Sequence, residues 1–277
     1  MLWRVLDVLV AHGLRLEVAR TTHAGHAASL AREAASRGAP LVVAAGGDGT
    51  IAEVSAGLAG SQTALGIVPL GTANVLAHEL GIPFAARDCA ATLAFGRSRL
   101  LWPGIVASPS GGRRLFVQMC GVGFDAAVVQ RLPPALKRRA GRSAFVLQSL
   151  REMVRYKFAP LTVRIDGTEA RAASAVITKG RYYAGPYMLA PEARPAEPGF
   201  QVALFGLPGP LSGPAGATLY GAALLLNRLP RAPGVRLLRG AEIEIDAPVP
   251  VQTDGESAGA APLRITSAPE PIRVVVG

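Results

Sequence analysis

Residues 41–54, LVVAAGGDGTIAEV, set Gly46-Gly47-Asp48-Gly49-Thr50 where a continuous apolar run gives way to a helical pattern. Glycines at the end of a strand leave backbone N–H groups uncovered, and the positive end of the next helix adds to them, which suits a phosphate. Gly46, Gly47 and Gly49 let the backbone approach such a group closely. A turn alone needs no acid between glycines. Asp48 would repel a phosphate, so its use is to hold a magnesium ion or to orient a hydroxyl beside the phosphates. Thr50 is placed to cap the following helix.

A second turn of this kind follows one unit later, in VPLGTANVLAHELGIP. Pro69, Leu70 and Gly71 turn the chain, and Thr72 and Asn74 put polar groups at a helix start, with Thr72 as the N-cap. Two such turns in consecutive units lie on one edge of a parallel sheet, where open α/β sheets bind ligands. Further along, GVGFDA carries Asp125 and VQTDGE carries Glu256 directly after Asp254-Gly255. Asp-Gly between strand-like runs signals a two-residue hairpin, and this one also delivers a carboxylate.

The surrounding pattern supplies elements to hold these residues. LWRVLDVLVAHG has helical spacing and stops at Gly13, LRLEVAR alternates like a strand, and THAGHAASLAREAASRG reads as a second helix. PLVVAA and ALGIVPL are buried strands of the parallel type; TIAEVSAGLA, TANVLAHELG and FAARDCAATLAFG are helices. This alternation predicts an α/β domain with a parallel sheet over residues 1–101. From residue 102 to 263, strand-like runs separated by Gly, Pro and Ser predict an antiparallel second domain, interrupted by the helix SAFVLQSLREMVRYKF. The tail, residues 264–277, is expected to pack back on the first domain.

Composition narrows the function classes. With 277 residues, half of them hydrophobic, the chain is long enough for two folded cores. Its 29 Lys and Arg against 19 Asp and Glu give a formal charge of +10, which favours an anionic partner. Aromatics are 5% and no recognition motif is present, so nucleic acid is the poorest such partner. Cys89 and Cys120 fit neither a disulfide framework nor a metal spacing and point to a reducing cytoplasm. No run reaches the roughly 18 apolar residues of a membrane span, and MLWRVLDVLV lacks the pattern of a secretory signal.

GGDGTIAEV, GIVPLGTANVLAHELGIP, GVGFDA and VQTDGE, in this order and spacing, resemble the diacylglycerol kinase catalytic-domain family, which includes bacterial lipid kinases and the sphingosine and ceramide kinases. GGDGT alone also admits the NAD kinases and phosphofructokinases; GTAN and the late DGE narrow the choice. The resemblance implies that the first domain is a nucleotide-binding α/β domain and the second an antiparallel β-sandwich domain for the lipid substrate, with transfer of the γ-phosphoryl group of ATP to a lipid hydroxyl with Mg2+ in the cleft between them. It implies that Gly46, Gly47, Asp48, Gly49 and Thr50 embrace the ATP phosphates, that Glu53, Gly71, Thr72 and Asn74 line the same pocket, and that Thr22 lies near the nucleotide. Thr22 equally suits a helix N-cap. Phosphoryl transfer needs a proton acceptor for the attacking hydroxyl. Glu256 is assigned that role and Asp125 the orientation of the hydroxyl or the ion, although either carboxylate suits either task.

The basic run between residues 131 and 157 carries eight Lys and Arg, among them Lys137, Arg138, Arg139 and Arg142, against one acid, Glu152. It reads either as a solvated helix face or as a dock for anionic lipid, with Leu132, Leu136, Phe145 and Val146 adding apolar contacts. A lipid kinase without a span needs such a dock, so a peripheral protein of the inner face of the cytoplasmic membrane is expected. Two features depart from the family's pattern. Relatives normally have a further strand, ending in an Asn-Pro turn, before the helix with which this chain begins; without it the neighbouring strand lacks a partner on one side. Residues 196–199, Ala-Glu-Pro-Gly, stand where bacterial relatives carry consecutive aspartates at a structural magnesium, so that second metal is not expected here. A catalytically weak binding protein of the same fold and a soluble-substrate kinase similar to the NAD kinases are the alternatives; the three acids count against the first, the clustered charge and the leucines of the second domain against the second.

Overall fold

The computed structural model describes residues 1–206 and 213–277, with the backbone alone at residues 134, 135 and 137–142. The first domain is built from α1 (Leu2–Ala11), α2 (His26–Ser36), β1 (Leu41–Gly46), α3 (Asp48–Leu58), β2 (Ala64–Pro69), α4 (Val75–Leu80), α5 (Ala86–Phe95) and β3 (Arg97–Leu101). The second contains β4 (Gly104–Ala107), β5 (Arg113–Phe116), β6 (Met119–Val122), α6 (Phe124–Arg131), α7 (Pro134–Arg155), β7 (Leu161–Ile165), β8 (Thr168–Ala172) and β9 (Ser174–Thr178). A small hairpin, β10 (Tyr182–Tyr183) and β11 (Tyr187–Met188), leads to β12 (Phe200–Phe205) and α8 (Pro214–Leu225). The chain closes with β13 (Arg236–Gly240), β14 (Glu242–Ile245), β15 (Pro250–Thr253), β16 (Glu256–Ala260), β17 (Leu263–Ser267) and β18 (Ile272–Val276).

In the first sheet the order is β1-β2-β18-β3. β1 and β2 pair in parallel, Leu41 opposite Ala64 and Gly46 opposite Pro69, so both glycine turns leave the sheet at one level. β18 joins β2 in parallel and β3 antiparallel, which returns the end of the chain to the first domain, while β17 stays in the second. Apolar faces of α2 and α3, with Ala27, Ala31, Ile51, Val54 and Leu58, close over Leu65, Ile67 and Val274.

Two six-stranded antiparallel sheets, β13-β12-β9-β6-β15-β16 and β5-β4-β17-β14-β7-β8, form the sandwich. Alternate residues point inward, as strands with one buried face require: Leu161, Val163 and Ile165 meet Ile243 and Ile245 in a core shared with Val202 and Leu204.

Three local expectations are corrected. Residues 14–20 form no strand; Leu14, Leu16 and Val18 are exposed. Among the described residues β1 pairs with β2 alone and its other edge stays open, so alternation in residues 14–20 is not enough to add a strand there. α4 begins at Val75 with Asn74, not Thr72, as its N-cap, held in the left-handed region at φ 47°. α3 starts at Asp48 with Gly47 as N-cap, so Thr50 lies inside the first turn, packed over Gly46, and caps nothing.

Candidate active site

The parallel register of β1 and β2 sets the two glycine turns side by side, and Leu70 N donates to Gly46 O at 2.9 Å. Gly47 and Gly71 touch through their backbones: a Cβ on Gly71 would lie 2.4 Å from Gly47 Cα, and one on Gly47 3.2 Å from Gly71 Cα. A side chain is thereby excluded at Gly71, and one at Gly47 would be tight. Asp48 reaches across this contact, where its Oδ1 accepts the backbone N–H of Leu76 at 3.3 Å. Burial raises the Asp48 carboxyl above the usual range, against the pull of the backbone N–H groups at the start of α4. Asn74 Nδ2 donates to Gly71 O at 2.7 Å, while its Oδ1 is buried without a partner among the described residues.

The sandwich supplies the opposing side. β15 and β16 are joined by a two-residue hairpin in which Asp254 and Gly255 both have positive φ, 49° and 79°. This hairpin brings Glu256 against α3: a Cβ on Gly49 would stand 3.4 Å from Glu256 Oε1. Asp254 points inward, and its carboxylate accepts the backbone N–H groups of Val117 (2.8 Å), Gln118 (2.9 Å) and Met119 (2.9 Å). Burial, with the charge of Asp48 adding to it, pushes Asp254 up to about 6 despite those three bonds.

Asp125, at the start of α6, is tied to the same hairpin through Gln252. Gln252 Nε2 donates to Asp125 Oδ2 at 2.7 Å, and Gln252 Oε1 accepts Gly255 N at 2.9 Å. The Tyr183 hydroxyl donates to the other Asp125 oxygen. Burial raises Asp125, and the Tyr183 and Gln252 bonds oppose the rise. Gly121 leaves room for the carboxylate, since a Cβ there would lie 1.9 Å from Asp125 Oδ2. Buried Glu79 of α4 fastens the domains by accepting Arg181 N (2.6 Å), Arg181 Nε (2.9 Å) and Tyr182 N (3.3 Å), next to Tyr183.

Thus Gly46, Gly47, Asp48, Gly49, Gly71, Asn74 and Glu256 gather at one place, with Asp125 linked to it by Gln252. Glu53 is employed elsewhere: its carboxylate accepts Gly25 N (2.8 Å) and Ala27 N (3.1 Å) at the start of α2. Thr22 is not the cap of α2, a position held by Gly25; its hydroxyl bonds the rings of His23 (2.8 Å) and His26 (3.0 Å). Thr72 is exposed outside α4. The side chains of Lys137, Arg138, Arg139 and Arg142 lie outside the described residues. Sequence reasoning missed Glu79, Tyr183, Gln252 and the inward role of Asp254; the position of Gln252 two residues before Asp-Gly was the signal for one of them. At residues 196–199, buried Lys179 donates from Nζ to the carbonyls of Glu197 and Gly199, each at 2.6 Å, so a lysine ammonium serves this loop as its cation.

Among the described residues no cluster of three or more His, Cys, Asp or Glu stands ready for a metal. The oxygens present nevertheless fit Mg2+, which takes one or two carboxylates and leaves its other positions to phosphates and water. Asp48 and the unpartnered Asn74 Oδ1 are hard donors beside a turn cleared of side chains.

A glycine-cleared turn at the end of a parallel sheet, faced by acids from a second domain, is the arrangement of a phosphotransferase. The diacylglycerol kinase catalytic domain matches residues 1–101, and the YegS C-terminal NAD kinase beta sandwich-like domain matches residues 118–205. A "Probable lipid kinase YegS-like" of Pseudomonas putida KT2440 is 30% identical over 261 residues, 93% of this chain and 84% of the relative. One from Pseudomonas aeruginosa PAO1 is 30% identical over 266 residues, covering 95% and 85%. A solved diacylglycerol kinase structure from Bacillus anthracis Sterne superposes with a TM-score of 0.70 at 17% identity, covering 100% of this chain and 92% of that one, and so shares the fold. The chain belongs to the diacylglycerol kinase catalytic-domain family, among its YegS-like lipid kinases.

Proposed function

We propose that the protein transfers the γ-phosphoryl group of ATP to the hydroxyl of diacylglycerol or a similar lipid alcohol, at the anionic inner face of the cytoplasmic membrane. The observation that carries this reading is the meeting of Glu256 with Gly49, which sets an acid of the sandwich against the glycine turn of the nucleotide domain. The backbone of Gly46, Gly47 and Gly49 receives the phosphates. Asp48, with Asn74 Oδ1, holds Mg2+, which supplies charge neutralisation on the phosphates when bound. Glu256 accepts the proton of the attacking hydroxyl, and Asp125, held by Tyr183 and Gln252, orients that hydroxyl. The basic run at residues 131–157, including Lys137, Arg138, Arg139 and Arg142, draws the protein to anionic lipid.

The test is transfer of labelled γ-phosphate to a panel of lipid alcohols in anionic mixed micelles with Mg2+, beside NAD as a soluble acceptor. Phosphorylation of a lipid alcohol that is lost in Glu256→Gln supports the reading. Transfer to NAD alone, or to nothing on the panel, sinks it.

A further inference from the structure

The C-terminal half of α7 is built inside out. Its inward face carries Ala144, Gln148 and Glu152, all buried; Gln148 Nε2 donates to Glu152 Oε1 at 2.9 Å, and Arg131 pairs with the same carboxylate. Its outward face carries Val146, Leu147, Leu150 and Val154. Val146, Leu150 and Val154 follow at intervals of four, one stripe along the helix, and are 57%, 55% and 86% exposed. A helix packed on a soluble core normally presents the reverse, so this outward stripe fits an apolar medium rather than water.

The charges around the stripe select among apolar media. Arg151 and Arg155 are exposed on the same stretch, Lys157 follows, and the one acid of residues 131–157, Glu152, is buried and paired with Arg131. A second copy of the chain docking through a two-fold axis would set this basic patch against itself. An anionic bilayer satisfies both features, taking the leucines and valines into the acyl boundary and the arginines among the headgroups. Helix α8, which meets α7 where Thr218 Oγ1 donates to Met153 Sδ, ends in exposed Leu225 and Leu226.

We infer that the outward face of α7, with Val146, Leu147, Leu150 and Val154 as its inserted residues and Arg151 and Arg155 as its headgroup contacts, is the surface by which the protein enters an anionic lipid bilayer. This rests on the proposed lipid acceptor only for its purpose; the surface itself is argued from exposure and charge.

The experiment is sedimentation with vesicles of phosphatidylglycerol and phosphatidylcholine, comparing the full chain with Val146→Ser/Leu150→Ser/Val154→Ser and with Arg151→Gln/Arg155→Gln. Because every substituted residue is exposed, thermal unfolding should match the parent. The serine variant should bind at least about tenfold more weakly to all vesicles. The glutamine variant should bind anionic vesicles more weakly, by about a factor of five per charge removed, and with a shallower salt dependence. Vesicle binding equal to the parent in the serine variant overturns the inference. So does a parent that ignores vesicles but self-associates, or captures a protein partner, through this face. Phosphoryl transfer to a dispersed short-chain diacylglycerol separates the two claims. Its absence, with vesicle binding intact, sinks the lipid-kinase reading and leaves the surface standing; its retention in the serine variant locates the defect in docking.

Discussion

Glu256 of the sandwich lies against Gly49 of the nucleotide domain, close enough that a methyl group on Gly49 would stand 3.4 Å from the carboxylate oxygen. That distance is ordinary contact, so Gly49→Ala should fold. Within the first turn of α3 alanine loses less backbone freedom than glycine, and the variant should gain about 0.5 kcal/mol. The added methyl fills space that the proposed site gives to a phosphate. KM for ATP should rise about tenfold or more, equivalent to about 1.4 kcal/mol. Thermal unfolding and initial rates on one preparation check both halves; a stabilised variant with unchanged KM would remove Gly49 from the nucleotide site.

Asp48 has two separable duties. Its oxygen receives the Leu76 N–H at the start of α4, and its charge is the one the proposed Mg2+ requires. Asp48→Asn keeps an acceptor oxygen for Leu76 and discards the charge, so stability should hold while kcat falls at least about 100-fold, some 2.7 kcal/mol. Asp48→Ala should lose activity equally and also about 1 kcal/mol of stability from the missing cap. Parental turnover in the asparagine variant would displace Asp48 from the reaction.

Gln252 couples Asp125 to the hairpin that carries Glu256, and this makes a pH profile informative. In Gln252→Leu the Asp125 carboxylate loses one of its two hydrogen bonds, both of which oppose the upward push of burial. Its pKa then climbs further, and the acid limb of kcat/KM against pH should move to higher pH. A merely structural role would lower kcat at all pH values without moving the limb.

What the sequence disclosed and what it withheld follow from range. The glycine turns and the Asp254-Gly255 hairpin are local, and their backbone demands are written in consecutive residues. Glu53 and Thr22 show the opposite: five residues along α3 from Asp48, Glu53 is claimed by α2, and Thr22 by two neighbouring histidines. Helical periodicity tells which side chains share a face but not which neighbour awaits them. Residues 14–20 alternate as a strand should, yet they do not pair with the open edge of β1; pairing is a property of the assembled sheet and not of alternation. The outward apolar stripe of α7 hid for the same reason. Its inward face is polar, and only packing reveals which side of such a helix meets the core.

The last prediction concerns stability against pH. Asp254 is buried at about 6 in the folded protein, whereas an unfolded chain releases that proton near 4. Between these values the folded state holds the proton that the unfolded state has lost, so stability falls as pH rises from about 4 to about 6 and levels off above. Two pH units correspond to about 3 kcal/mol, and the raised carboxyls of Asp48 and Asp125 act in the same direction. Asp254→Asn removes this contribution. It retains an acceptor oxygen for the N–H groups of Val117, Gln118 and Met119 but turns an amide toward one of them, so it should be less stable than the parent at pH 4. The gap should then narrow steadily toward pH 7, because only the parent carries the Asp254 slope. Thermal unfolding of both proteins from pH 4 to 8 measures that gap directly. A gap constant across the range would mean that Asp254 is ionised throughout, with its three backbone bonds outweighing burial.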